Sequence, residues 1–456
     1  MVEDVVALIL AAGHGKRMRS GLLKVLHPVA GRSMVEHVLE TAHAAGIGRV
    51  VVVIGHQGEK VRAALQDRVE YVHQEEQLGT GHAVLMARDV LHEEVVLVLY
   101  GDTPLLQADT LKDLLAQHRK SGAAATVVTT QLDDPSGYGR ILRNPRGEIE
   151  GIVEEKNTTA EQKRLREVNT GIVCYRREPL FRLLPQVKKD EVSGEYYLTD
   201  VVSLLLRAGE KVETYFVQDQ SQVLGVNTRI ELAEVEKILR RRILERLMLE
   251  GVTVLDPATT FVDSEVEVGM DTVIYPFTFI EGKTRIGKNC RIGPGSRIVD
   301  SVLGDEVEVE QSTVEKSRLG DGVHVGPFSH LRPDSVLEEG VKVGNFAEIK
   351  NTLVGARTKV PHHSYLGDST IGRQVNVGAG TVIVNYDGQA KHHSDIGDGV
   401  FIGCNSNLIS PVRIGSGSYI AAGSTITDDV PPGALAIARS RQVNKEGWVA
   451  RKRPAR

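Results

Sequence analysis

Two hydrophobic rhythms divide this chain. In the first half, short aliphatic runs alternate with amphipathic stretches. VVALILAAG reads as a buried strand entering a glycine-rich loop, SMVEHVLETAHAAG as an amphipathic helix ending at Gly46, and RVVVVIG as a second buried strand. VVLVLYGD is another such strand, with the helix TLKDLLAQHRKSG after it. Strands that are apolar along their whole length, each followed by a helix, predict a mostly parallel sheet with helices on both faces. From Asn227 to Glu250 the pattern becomes one long charged helix, with Leu232, Val235, Leu239, Ile243 and Leu247 close to one face and Gly251 at its end. A helix of about twenty residues is roughly 30 Å long, and this one reads as a stiff linker.

From Val268 to about Pro431 an aliphatic residue returns every six positions. VGMDTV, IYPFTF, IEGKTR, IGKNCR and IGPGSR follow one another without a gap. After slips near Leu303 and Leu319, VGPFSH, LRPDSV, LEEGVK and VGNFAE keep the step, and a third run starts with IGDGVF at Ile396. This period suits neither an amphipathic helix nor a hairpin sheet. It suits a parallel β-helix, in which each hexapeptide is one flat side of a coil, the aliphatic residue fills the bore, and successive coils pair as strands roughly 4.8 Å apart. Between Ile383 and Ile396 the spacing exceeds two repeats, so NYDGQAKHHSD must loop out. The predicted organisation is an α/β domain over 1–228, a linker helix over 229–250 and a β-helix with a basic tail over 251–456.

Composition narrows the class of protein. A chain of 456 residues is too long for one core. Aromatic residues make up only 4%, which suits a narrow bore filled by Ile, Val and Leu. A net charge of -5 argues against a general nucleic-acid binder. The exception is the tail from Arg439 to Arg456, with seven Lys or Arg and one Glu, which reads as solvated with part of it able to meet a phosphate. Cys174, Cys290 and Cys404 are odd in number and far apart, forming neither a disulfide framework nor a metal pattern, so a reducing cytoplasm is expected. Neither a signal peptide nor a membrane span is expected.

Candidate chemistry belongs at the carboxyl ends of the strands, where open α/β sheets gather ligands. In LAAGHGKRM, Gly13 and Gly15 allow close approach of the backbone to phosphate, and Lys16 and Arg17 add positive charge. The spacing is neither a Walker A loop nor a complete dinucleotide fingerprint. Lys24, in LLKVL, reads on its own as a surface lysine. Asp102, directly after a buried strand, suits either a divalent cation between phosphates or the cap of a helix starting at Thr103, with equal weight. The amides of Gln74–His82 suit a base edge. In the β-helix, the polar interruptions HLRPDS, VGNFAEIKN, HHSYLGDS, VNVGAGTVIVNYDG and ALAIARS stand out, because a regular solenoid does not need them. A histidine there suits proton removal from an amine, but a lone histidine on a β-helix is more often a surface residue. The residues alone do not choose between His362 and His363. Cys404 alone reads as a small buried filler.

LAAG, KVL, QLGTGHA, YGD, GYGR, GIVEEK, VNTGI and GVNTR occur in that order over residues 5–229. Together they resemble the sugar-nucleotide pyrophosphorylases, and closely their bacterial UDP-N-acetylglucosamine branch. The second half resembles the left-handed β-helix acyltransferases, and its handedness is taken from that family. From about Gly251 to Trp448 its motifs resemble the bacterial bifunctional N-acetylglucosamine-1-phosphate uridyltransferase and glucosamine-1-phosphate acetyltransferase family. The resemblance implies acetyl transfer from acetyl-CoA to glucosamine-1-phosphate, followed by uridylyl transfer from UTP with release of pyrophosphate.

It also implies roles for particular residues. Leu10, Ala11, Ala12 and Gly13 would line the uridine nucleotide, with Tyr100 and Gly101 beside it. Arg17 and Lys24 would neutralise phosphates, and Gln74, Gly79 and Thr80 would read uracil. Asp102 and Asn227 would hold Mg2+, while Gly139, Glu154 and Asn169 would bind the sugar. In the β-helix, His362 would be the general base, and Arg332 and Lys350 would grip the sugar phosphate. Tyr365, Asn376, Asn385 and Tyr386 would orient the sugar, and the Ala379 N–H would face the developing oxyanion. Cys404, Ala422 and Arg439 would meet coenzyme A. The family forms homotrimers with acyl sites between subunits, so the 383–396 loop is expected to reach a neighbour. Three departures stand out: Lys16 for the family's threonine, Leu23 for its proline and Cys404 for its serine. Two alternatives remain open, a single-activity pyrophosphorylase with a structural or regulatory β-helix, and a non-catalytic nucleotide-binding scaffold. Trp448 reads equally as an anchor for the tail or as a ligand contact.

Overall fold

Strand β1 (Val5–Leu10) is aliphatic at every position because both of its faces are covered. Val5, Ala7 and Ile9 enter one core with Val52, Leu97 and Val38; Val6, Leu8 and Leu10 enter another with Val51, Val98 and Val84. In this computed structural model, which describes residues 4–452, β1 lies inside a nine-stranded sheet. The other strands are β2 (Arg49–Ile54), β3 (Glu70–His73), β4 (Val95–Tyr100), β5 (Ala125–Gln131), β6 (Gly139–Arg143), β7 (Ile149–Val153), β8 (Glu167–Arg176) and β9 (Val212–Phe216). The main path runs β9-β5-β8-β4-β1-β2-β3, and the β6–β7 hairpin branches from β8. β8 is antiparallel to β4 and β5; the other pairs on the path are parallel. The helix Met34–Ala44 begins at a Ser33–Glu36 capping box, and Ala108–Ser121 ends at Gly122 with φ +62°, a left-handed position that glycine adopts without steric cost.

The chain divides into two compact units, one running to Leu239 and the other from Arg240. The division falls inside the long helix, Arg229–Leu249. Val235, on its first half, is buried in a small core with Met18, Val29, Met34, Leu105 and Val226. On its second half Ile243, Leu244 and Leu247 are buried, and the Arg240 guanidinium lies 4.1 Å from the centre of the Phe261 ring. Each half therefore packs within its own unit.

In the second unit, short parallel strands form two long ladders, of 11 and 17 strands. The first rung is Thr253–Val254 and the last Leu435–Ala436, so the coil begins before Val268 and ends after Pro431. Its start is hard to see in sequence because Val254 and Val262 are the inward residues of irregular sides. The coil ending at Leu303 is one residue short and the coil from there to Leu319 is two short, yet pairing continues, with Ile286 beside Leu303 and Leu303 beside Leu319. Ile274, Ile280, Ile292 and Ile298 fill the bore as expected. A second inward position, not evident from the repeat, carries buried hydroxyls such as Thr272, Ser312 and Ser329. Each finds partners on the next coil: the Ser329 hydroxyl donates to Gly344 O at 2.5 Å and accepts from Ala347 N at 3.0 Å. A Cβ on Gly344 would sit 1.9 Å from Pro361 O, so successive coils approach too closely there for any side chain. Among the described residues, no helix is long and apolar enough to cross a membrane.

Candidate active sites

The first site gathers at the ends of β1, β2 and β4. Leu10, Ala11 and Ala12 are buried where β1 runs into the loop, and Gly13 has open space where a Cβ would stand. Arg17 is exposed beyond it. Gly15, at φ +60°, presses against Lys24, whose Cβ would be 2.6 Å from an added Cβ. Lys24 is no free surface lysine: its ammonium pairs with the Asp102 carboxylate and donates to Asn227 Oδ1 at 3.1 Å. No helix begins at Thr103, so Asp102 is not a cap. The Asp102 carbonyl accepts from Val226 N at 3.0 Å, and Glu231 accepts from the N–H groups of Asn227 and Thr228. These bonds carry Asn227 to Asp102 across more than a hundred residues of chain.

Beside them the Gln74 side chain is buried and donates to Gly79 O at 3.1 Å, so it shapes the turn into the helix Thr80–Met86. Gly79 has φ +104°, and a Cβ there would strike Tyr196 O. Thr80 Oγ1 accepts from Leu198 N at 3.0 Å. Tyr100 is a half-buried phenol at the end of β4, desolvation pushes its pKa up, and the Gly101 N–H donates to Leu10 O. Gly139 and Asn169 face each other across β6 and β8, and Asn169 Oδ1 accepts from Gly171 N. Glu154 lies next to Gly139 and accepts from the Thr199 hydroxyl at 2.7 Å. Burial raises its pKa; the Thr199 hydrogen bond opposes this, and Asp200, Asp190 and Glu195 add to it.

The second site follows the register of the coils. His362 ends the strand Lys359–His362, opposite Asn345 on the preceding coil. Ala379 occupies the same corner of the following coil, since Gly380 N donates to His363 O at 2.8 Å. Cys404 comes next, because Asn405 N donates to Ala379 O, and then Ala422, because Gly423 N donates to the Cys404 carbonyl. The Arg439 stem lies 3.7 Å from a Cβ placed on Gly423. Five residues chosen from scattered motifs thus form one column along a single corner. No backbone acceptor stands against the Ala379 N–H among the described residues.

The same geometry separates the two histidines. His362 Nδ1–H donates to Asn345 Oδ1 at 2.9 Å, which leaves Nε2 free. His363 has φ +49° and lies against the Phe346 ring, which in turn stacks on Phe328. On the adjoining flat side, Arg332 precedes Lys350 by one coil and pairs with Glu348 at 2.8 Å. The Asn385 amide is buried and donates to Asp368 and, at 3.4 Å, to the Tyr365 hydroxyl. Burial opposes ionisation of Asp368, but bonds from Asn351 and Asn385 and the charges of Lys350 and Lys391 hold its pKa below the usual range. Asn376 begins the strand Asn376–Val377, half-buried and beside Lys359. Tyr386 is exposed, in the loop that leaves the coil as expected, and its hydroxyl donates to Gly388 O.

Two site residues were missed in the sequence. Asn345 sits in VGNFAE, where nothing but the register links it to His362. Lys391, from the protruding loop, comes so close to Lys350 that each ammonium repels the other, and its pKa is lowered chiefly by Lys350. Its only signal was a cation in a loop of unexplained length. Two expectations are corrected. Cys404 is exposed, not a buried filler. Trp448 is half-exposed on the short helix Trp448–Lys452, where Lys452 lies over its ring, so within the chain it does not anchor the tail. The tail residues 453–456 lie outside the described residues.

Comparison with known proteins matches the MobA-like NTP transferase domain to residues 7–194. Residues 265–300 and 393–428 match the bacterial transferase hexapeptide repeat, and residues 287–371 the GlmU-like C-terminal hexapeptide. The chain is 52% identical to the bifunctional protein GlmU of Carboxydothermus hydrogenoformans over 97% of its own length and 99% of that protein's. Against GlmU of Heliobacterium modesticaldum the identity is 51%, covering 98% of both chains. Against GlmU of Listeria monocytogenes it is 49%, covering 97% of both.

Proposed function

The chain belongs to the GlmU family of bifunctional proteins, and from that premise we propose the residues by which its two units act. The protein is a uridyltransferase and acetyltransferase. The β-helix, over 251–456, acetylates glucosamine-1-phosphate from acetyl-CoA. The α/β domain, over 1–228, then couples the product to UTP, with 229–250 as the connecting helix. The observation that carries the acetyl site is the corner column of His362, Ala379, Cys404, Ala422 and Arg439, which runs over four rung spacings of about 4.8 Å each.

At the column, the sugar amine attacks the thioester carbon while His362 Nε2 takes its proton. The Ala379 N–H meets the oxyanion, the C–S bond breaks, and the proton goes on to the coenzyme A thiolate. Arg332, Lys350 and Lys391 hold the sugar phosphate, and Tyr365, Asn376, Asn385 and Tyr386 orient the ring. At the sheet, an already ionised phosphate oxygen attacks the α-phosphorus of UTP and pyrophosphate leaves, so alignment and neutralisation by Arg17 and Lys24 replace a general base. Gly139, Glu154 and Asn169 hold the sugar.

Asp102 and Asn227 fit Mg2+, because their two oxygens already converge on a cation, the Lys24 ammonium. Among the described residues no group of three or more His, Cys, Asp or Glu could hold a metal, so Asp102 and Asn227 are the residues that would hold it. When bound, Mg2+ would neutralise charge developing on the phosphates. The reading includes a homotrimer, with the loop beyond Val384 meeting the neighbour, and a cytoplasmic setting, supported by three free cysteines.

The test is product analysis with glucosamine-1-phosphate, acetyl-CoA, UTP and Mg2+, omitting each in turn. Without UTP, N-acetylglucosamine-1-phosphate should accumulate. Without acetyl-CoA, no UDP-N-acetylglucosamine should form. Unacetylated sugar phosphate in the complete mixture would leave a single-activity pyrophosphorylase.

A further inference from the structure

Adjacent histidines face opposite fates in this coil, and the preceding coil decides which is which. The dipeptide Asn345-Phe346 lies directly before His362-His363 in the stack. Phe346, at φ +58°, turns its ring onto His363, with centroids 5.8 Å apart. Asn345 points its amide oxygen at His362 Nδ1, 2.9 Å away. An amide oxygen only accepts hydrogen bonds, so the imidazole partner must carry its proton on Nδ1. The lone pair is then on Nε2.

We infer that Asn345 is a positioning residue for acetyl transfer: it fixes the Nδ1–H tautomer and the ring orientation of His362, so that Nε2 can accept the proton of the sugar amine. This rests on the reading of His362 as the base. No carboxylate takes this position. The strand Lys342–Asn345 before His362 carries the cation Lys342, its own strand carries Lys359, and Asn376–Val377 after it carries no charge. The partner is neutral, so what Asn345 supplies is the tautomer and the orientation of the ring rather than a charge.

The experiment compares Asn345→Ala and Asn345→Asp in the full-length protein, with uridylyl transfer measured on the same preparations as the control for folding. Asn345→Ala should lower kcat of acetyl transfer by about tenfold to a hundredfold, the range seen when the partner orienting a functional imidazole is lost, with KM for acetyl-CoA nearly unchanged. Asn345→Asp should retain most of kcat and move the acidic limb of the acetyl-transfer pH profile upward, because a carboxylate favours the imidazolium. Nitrogen-15 NMR of His362 in the unaltered protein should show a protonated Nδ1 and a bare Nε2.

Acetyl transfer by Asn345→Ala within twofold of the unaltered protein, with an unmoved pH profile, would overturn the inference. So would a protonated Nε2, or an Asn345→Asp protein as impaired as Asn345→Ala. If His362→Ala itself retains acetyl transfer, the reading of the base fails. If His362→Ala loses it and Asn345→Ala does not, only the present inference fails.

Discussion

The two sites are assembled by opposite means. At the sheet, Lys24, Asp102 and Asn227 come from three distant stretches, brought together because β1 and β4 are neighbours and Val226 is hydrogen-bonded to Asp102. Charged groups there are largely shielded, with side-chain exposures of 16% for Lys24 and 14% for Asp102, so each must find a partner. On the β-helix, His362 and its partners come from consecutive coils and stand on an open surface, placed by register alone. A folded pocket makes its chemistry from long-range contacts, whereas a solenoid makes it from counting. The first depends on the whole domain being formed; the second depends on a few neighbouring coils.

The sharpest way to break this contrast is to disable each site in turn. His362→Ala should lower acetyl transfer by about 10²- to 10⁴-fold and leave uridylyl transfer intact, as measured by separate end-point assays. Asp102→Ala should cost uridylyl transfer about 10²- to 10³-fold, the scale of a lost electrostatic stabiliser, with acetylation unchanged. If either substitution silenced both activities in a folded protein, the two sites would not be independent.

A smaller effect is expected at the protruding loop. Lys391→Ala should raise KM for glucosamine-1-phosphate by about tenfold, as one charge-assisted hydrogen bond of about 1.5 kcal/mol is lost, while KM for acetyl-CoA stays put. An unchanged KM for the sugar would remove the loop from the site.

The smallest effect tests the buried site through pH. Glu154 has a raised pKa in the folded protein, so burial of its charge costs stability. That cost is absent below the unfolded pKa, near 4.3, and fully present above the folded one. Glu154→Gln should therefore raise the melting temperature of the ligand-free protein slightly at pH 7 and leave it unchanged near pH 4. An equal rise at both pH values would mean that packing, not charge, accounts for it.

Much of this was legible in the sequence, for identifiable reasons. Full-length aliphatic runs marked β1, β2 and β4 because strands covered on both faces leave no polar position. The aliphatic period marked the bore because each side of a coil repeats one inward residue. What stayed hidden depended on three-dimensional pairing. Lys24 looked like a surface cation until Asp102 and Asn227 were seen around it. His362 and His363 were equivalent until the coil before them was in place. The inward place of the Thr272 and Ser329 hydroxyls was not legible, since only the next coil supplies their partners.

The stacking has a consequence for length mutations. Asn345 and His362 are 17 positions apart, and Ser329 reaches Ala347 across 18. Adding one hexapeptide between such partners would still offer the interior an aliphatic residue, yet would swing everything downstream onto a different flank of the prism. Only an insertion of a complete circuit would return the downstream residues to their own flank, and it would have to fall outside a pair such as Asn345 and His362, which an extra coil between them would part.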